Sequence, residues 1–230
     1  VDDTRRFSAV AYGGSAEFVE VSPSNTVSSI SSAGSATSLL SFTPSLAKDK
    51  AYSVLAYGAQ GSLAQVLLDE NSNEPDTGKT LLRVVNAAPD AGSLDVYVTA
   101  SGDALTTSVP LQSAAAKGSV GSYSTVNSAT WRVRVTAAGS KDDLRLDLPA
   151  VVLASKQVAT LVLTPGSGGV LVNALLITQE GAIARLDNSQ ARVRVAAAVT
   201  DSGTVAATVG GVTLRSGLGA PFVSLYSLVP

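Results

Sequence analysis

The chain has 230 residues and a mass of 23.1 kDa, enough for one large β domain or about two ordinary ones of roughly 100–150 residues each. With 45% hydrophobic residues, 15% charged residues and a formal net charge of −2, it is neither a disordered acidic tail nor a basic nucleic-acid binder. It contains no His, Cys or Met, which excludes His general-base catalysis, thiol chemistry, Cys/His metal sites and every Ser-His-Asp arrangement.

The opening Val1-Asp2-Asp3-Thr4 carries no initiator Met. Together with a Ser/Thr/Gly/Ala-rich composition, this leads to the expectation of a chain exported to the cell surface or beyond, after removal of a signal segment. No apolar run reaches the roughly 18–20 residues that span a bilayer as a helix, because Lys156-Gln157 and Pro165-Gly166-Ser167-Gly168-Gly169 break the longest candidates.

Along the chain, short runs rich in Val, Leu and Thr alternate with Gly, Ser, Asp, Asn and Pro clusters, the pattern of strands and turns. Ala51 to Ala56 and Leu63 to Leu68 come first, followed by Leu81 to Val85, Leu94 to Val98, Trp131 to Val135 and Ala191 to Val195. In the last two, apolar residues alternate with Arg132, Arg134, Arg192 and Arg194, which predicts a one-sided antiparallel sheet with its guanidinium groups in water. A 3.6-residue period appears nowhere over more than about two turns, so helix is expected only as short turns. The fold class is all-β, of immunoglobulin-like sandwich type.

An internal repeat organises these strands. Gly13 to Pro44 lies over Gly118 to Pro149 at an ungapped offset of 105 residues, matching Phe18 with Tyr123, Ile30 with Val135 and Leu39 with Leu144. Ala51 to Ala56 corresponds to Val158 to Leu163, Gly92 to Val98 to Gly203 to Val209, and Tyr123-Ser124-Thr125-Val126 to Tyr226-Ser227-Leu228-Val229. The repeat is the size of a β-sandwich module. Its complete middle copy predicts strands A (81–88), B (94–99), C (119–126), D (130–137), E (144–153), F (157–164) and G (170–178). On that ruler the chain divides into an incomplete module over 1–78 that lacks A and B, a complete module over 79–186, and the first strands of a further copy over 187–230.

The stretch Gly78-Lys79-Thr80-Leu81-Leu82-Arg83-Val84-Val85-Asn86-Ala87-Ala88-Pro89-Asp90-Ala91-Gly92-Ser93-Leu94-Asp95-Val96-Tyr97-Val98 resembles the opening of the bacterial repeats grouped as domain of unknown function 4397. Trp131 to Gly139 is similar to that family's mid-module strand. The likeness covers residues 79–180 well and the flanking copies less well, since Ala196 to Thr200 departs from the Asn-Ala-Ala-Pro-Asp pattern. The resemblance implies secreted or lipid-anchored tandem β-sandwiches, and it implies no activity and no catalytic residue.

Several constellations invite a chemical reading. Asp69, Asn71, Asn73 and Asp76 place oxygen ligands at alternating positions in the joint between the first two copies, making calcium the one cofactor considered. An EF-hand would need Gly where Glu74 stands and an acid where Thr80 stands, so a solvated linker turn is the stronger reading. Asp2-Asp3 and Asp142-Asp143 fall in predicted turns, and neighbouring carboxylates on a strand would point to opposite faces, against paired acid catalysis. No Gly-x-Ser-x-Gly elbow exists, no Ser-x-x-Lys lies on a helix, and Gly166 to Gly169 lacks the Lys and helix of a phosphate loop. Trp131, Phe18, Tyr97 and Tyr123 are assigned to the core.

A sandwich without strands A and B exposes about half a dozen core side chains, at roughly 1.5–3 kcal/mol each. Three arrangements answer that deficit: exchange of strands between chains, closure by the same chain, or completion by residues outside this sequence. The expected function is therefore a non-enzymatic structural subunit that polymerises with itself by strand complementation. Arg192, Val193, Arg194, Val195, Val205 and Val209 are the donor, and Phe18, Val21, Tyr52, Val54 and Tyr57 line the acceptor groove. The alternative is a surface adhesion module steadied by calcium.

Overall fold

The computed structural model describes residues 6–23, 27–59, 61–70, 72–167, 169–179, 181–199 and 204–229. Among them the only helix is one 3₁₀ turn, Leu105–Thr107, and no helix is long and apolar enough to cross a membrane. The protein is all-β, built of several sheets that, among the described residues, are antiparallel apart from a single parallel pair.

The first copy forms two hairpins, β1 (Ser28–Ser31) with β2 (Ser38–Phe42) and β3 (Tyr52–Tyr57) with β4 (Ala64–Asp69). The middle copy contains β5 (Lys79–Asn86), β6 (Leu94–Thr99), β7 (Gln112–Ala115), β8 (Ser124–Asn127), β9 (Ala129–Ala137), β10 (Ser140–Leu153), β11 (Gln157–Pro165), β12 (Val172–Thr178) and β13 (Ile183–Leu186). The C-terminal copy supplies β14 (Ala191–Val193), β15 (Ala196–Ala197), β16 (Thr204–Val209), β17 (Val212–Gly219), β18 (Phe222–Val223) and β19 (Ser227–Val229).

The middle copy is two facing sheets, ordered β10-β9-β6-β7 and β13-β12-β11-β5-β8. Alternate residues of both point inward, and Leu82, Val84, Leu94, Val96, Val133, Val135, Leu146, Leu161 and Ala174 close into one core. Predicted strands A, B and D to G match β5, β6 and β9 to β12 within a few residues, whereas C shrinks to β8 plus one bridge between Val85 and Val120. Strands β7 and β13 were not foreseen: Gln112–Ala115 contains an alanine run, and Ile183–Leu186 is too short to show a period. The expected all-antiparallel pairing also fails at β5 and β11, which run parallel with Val84 beside Leu161.

The five-stranded sheet is not one-sided. Leu55, Tyr57, Val66 and Leu68 of the β3/β4 hairpin pack with Val85, Ala87, Val162 and Leu175, so its outer face carries a second apolar cluster. The Tyr12 hydroxyl reaches Thr164 Oγ1 at 3.0 Å, and Arg185 lies 5.3 Å from the Tyr12 ring centre over the same sheet. A positive φ suits Gly118 to its turn, and a Cβ there would collide with the Tyr57 hydroxyl, so this glycine also admits the docked hairpin.

The outward arginines depart from expectation too. Arg134 is buried, its Nη2 donating to Thr99 Oγ1 at 2.7 Å and to the Asp103 carbonyl at 3.0 Å, because the 100–108 loop folds over that strand face. Burial, with Arg132 beside it, lowers the pKa of Arg134 from the ordinary guanidinium value. Asp142 and Asp143 stand within β10, since Ala138 and Gly139 make the turn. Tyr97 is buried, Trp131 packs at the core's margin, Tyr123 sits beneath Arg83, and Phe18 is half exposed outside any strand.

Candidate functional site

Strand pairings of the middle copy recur at both ends of the chain. In β14/β19, Val193 faces Ser227 as Leu82 faces Ser124 in β5/β8. Ala196 faces Val223 as Val85 faces Val120, and Ser224 N donates to Val195 O at 2.8 Å as Gly121 N does to Val84 O. In β16/β17, Val205 faces Leu218 and Ala207 faces Arg215, as Leu94 faces Ala115 and Val96 faces Gln112. Thus the C-terminal copy repeats β5 and β6 displaced by 111 residues, and β7 and β8 displaced by 103.

The N-terminal copy repeats the other half. Ile30 faces Leu40 as Val135 faces Leu146, and Ser31 faces Ser38 as Thr136 faces Leu144. These pairs shift β2 by one residue from the ungapped register, so Leu40 and not Leu39 holds the core-facing position. Val54 faces Leu67 as Leu161 faces Leu176. Each end thus makes two of the middle copy's seven strand pairings. The two pairings that join the halves there, β6 with β9 and β5 with β11, have no counterpart at either end among the described residues.

Burial follows from that split. Leu161 is 1% exposed but its counterpart Val54 is 45% exposed, and Val96 is 0% exposed whereas Ala207 is only half-buried. Val193, Val195, Val205, Ile30, Leu40 and Leu67 are also only half-buried. Among the described residues the donor strands β14 and β16 pair with β19 and β17 and not with β1 to β4.

Of the expected acceptor residues, Tyr52 and Val54 share one face of β3, while Tyr57 lies on the opposite face, against the middle copy. Phe18 and Val21 lie outside strands. Of the donors, Val209 ends β16. Arg192 donates to Asp143 Oδ1 at 2.7 Å and covers the Tyr226 ring at 3.9 Å, securing the C-terminal copy to β10. Arg194 lies 5.1 Å from the same ring, as Arg83 lies 4.6 Å from Tyr123. The recurrence of Tyr123 as Tyr226 was the sequence signal for this stacking; the Arg83 and Glu70 ion pair had none.

Asp143 balances opposing effects. Burial pushes its carboxyl up, but hydrogen bonds and charges from Arg145 and Arg192 outweigh that and hold it below the ordinary aspartate value. Asn188 braces the joint, its Nδ2 donating to the carbonyls of Arg145 and Val172 at 2.9 and 3.1 Å.

The calcium candidates begin at Asp69, the last residue of β4. Asp69, Asn73 and Asp76 are exposed, Asn71 lies outside the described residues, and Glu74 takes Lys156 Nζ at 2.7 Å. Among the described residues no three acidic side chains cluster as a metal site would require. Asp2 and Asp3 also lie outside the described residues.

No curated protein matches the chain. Residues 1–97 match the family model described as a domain of unknown function, DUF4397, a stretch running from the first copy through β5 and most of β6 rather than over 79–180. That stretch contains Gly78 to Tyr97, and the chain resembles the DUF4397 family.

Proposed function

We propose that this chain is a non-enzymatic, exported structural subunit that assembles head to tail into a filament, the C-terminal strands of one copy completing the N-terminal half-sandwich of the next. One observation carries the reading: the two ends form complementary halves of the fold that the middle copy makes whole, in matching registers. Joining them buries Val54, Leu67, Val193 and Val205, and a fully buried aliphatic side chain of this size contributes about 1.5–3 kcal/mol. Because donor and acceptor are different surfaces, the contact is heterologous and propagates unless its rotation closes a ring. Export rests on the Ser/Thr/Gly/Ala-rich composition.

Light scattering of the 230-residue chain across concentration, with negative-stain imaging, tests this. A ladder of multiples or filaments is expected, and a monomer at all concentrations overturns it.

A further inference from the structure

We propose, resting on the assembly reading above, that the joint between subunits has a defined register copied from the middle sandwich and closes both sheets at once. Transferring the β5/β11 pairing through the matched positions sets β14 of one chain parallel to β3 of the next, with Val193 beside Tyr52, Arg194 beside Ser53 and Val195 beside Val54. Transferring the β6/β9 pairing sets β16 antiparallel to β1, with Ala207 opposite Ile30 and Thr208 opposite Ser29. The inward rows then coincide: Val193, Val195, Val205 and Ala207 meet Tyr52, Val54, Ile30 and Leu40, the positions held in the middle core by Leu82, Val84, Leu94 and Val96 against Ala159, Leu161, Val135 and Leu146.

A polar contact selects the same register. In the middle copy Arg83 Nε donates to Thr160 Oγ1 at 2.8 Å while its guanidinium stacks on Tyr123. Arg194 stands at the Arg83 position, already stacked on Tyr226, and the transferred pairing brings it beside the hydroxyl of Ser53, the counterpart of Thr160. A slip of one residue would turn the apolar rows to the opposite faces, and a slip of two would move Arg194 off Ser53.

The chain has no cysteine, so engineered pairs report without background. Ser29 and Thr208 are exposed and point away from the core rows, as does Ala206 two residues back. Full-length Ser29→Cys and Thr208→Cys chains, each with one cysteine, are mixed under mild oxidation and scored for covalent dimer, alongside Ser29→Cys mixed with Ala206→Cys. Cβ atoms of directly opposed strand residues lie about 4.5–5.5 Å apart, near the span of a disulfide, whereas diagonal neighbours lie about 7–8 Å apart. The expected result is at least tenfold more mixed dimer from the Thr208 pair, lost when Arg194→Ala and Val195→Asp are added to the donor chain.

Preference for the Ala206 pair overturns the register and leaves strand exchange standing. Multimers by light scattering with neither crosslink overturn both the register and the pairing of these edges. A strictly monomeric chain overturns the assembly reading itself, as does an intramolecular disulfide in the Ser29→Cys/Thr208→Cys double variant.

Discussion

Arg83 of β5 and Glu70, the residue that follows β4, form an ion pair at 3.6 Å with side chains only 5% and 3% exposed. The pair ties the N-terminal hairpin to the outer face of the middle sandwich, where Arg83 also donates to Thr160 and stacks on Tyr123. Taking both charges out of water is costly, so the pair secures the docking geometry more than it adds net stability.

Removing one partner should therefore be worse than removing both. Glu70→Ala strands a buried guanidinium and is expected to cost about 3–5 kcal/mol, while Glu70→Leu with Arg83→Met recovers most of that loss. Urea denaturation of the three chains at neutral pH checks the order.

Gly118 carries two separable demands, a positive φ and room for the Tyr57 hydroxyl. Gly118→Ala is expected to destabilise by about 1–3 kcal/mol through both. Adding Tyr57→Phe should return the steric share and leave the backbone share, a partial rescue visible in thermal melts.

Leu146 and Leu40 occupy matching positions in different states of completion. Leu146→Ala opens a cavity in a closed core and should cost about 2–5 kcal/mol at any concentration. Leu40→Ala should cost under about 1 kcal/mol in dilute monomer, yet lower the assembled fraction at high concentration. Unfolding and light scattering on the same samples separate the two effects.

Asp143 makes the joint with the C-terminal copy acid-sensitive. Its folded pKa is depressed, so its contribution is complete above the unfolded value near about 3.9 and is lost as pH falls through the lower folded value. Acidification through that lower folded value should release Arg192 and Tyr226 from β10, and Asp143→Asn should produce that release at neutral pH. Quenching of Tyr226 fluorescence or protection of residues 191–193 from hydrogen exchange reports it, and an unchanged profile in the asparagine variant refutes the assignment.

Much of the fold was legible because strand alternation and the repeat are local properties. The Val and Leu rows of 81–85, 94–98 and 131–135 declared their period. The one-residue shift at β2 escaped because Leu39 and Leu40 are interchangeable to a sequence comparison, and only cross-strand pairing with Ile30 distinguishes them. Tyr57 looked like Tyr52 for a similar reason, although five residues along a strand place them on opposite faces.

By itself, then, the sequence determined the all-β class and most strands of the middle sandwich. The tertiary structure decided the burial of Arg134 and Arg83, the docking of the β3/β4 hairpin on the outer face of the five-stranded sheet, and the parallel pairing of β5 with β11. Those outcomes depend on which distant surfaces meet, and a charged residue stays outside or goes inside according to whether a loop, a hydroxyl or an opposite charge arrives from elsewhere in the chain to receive it.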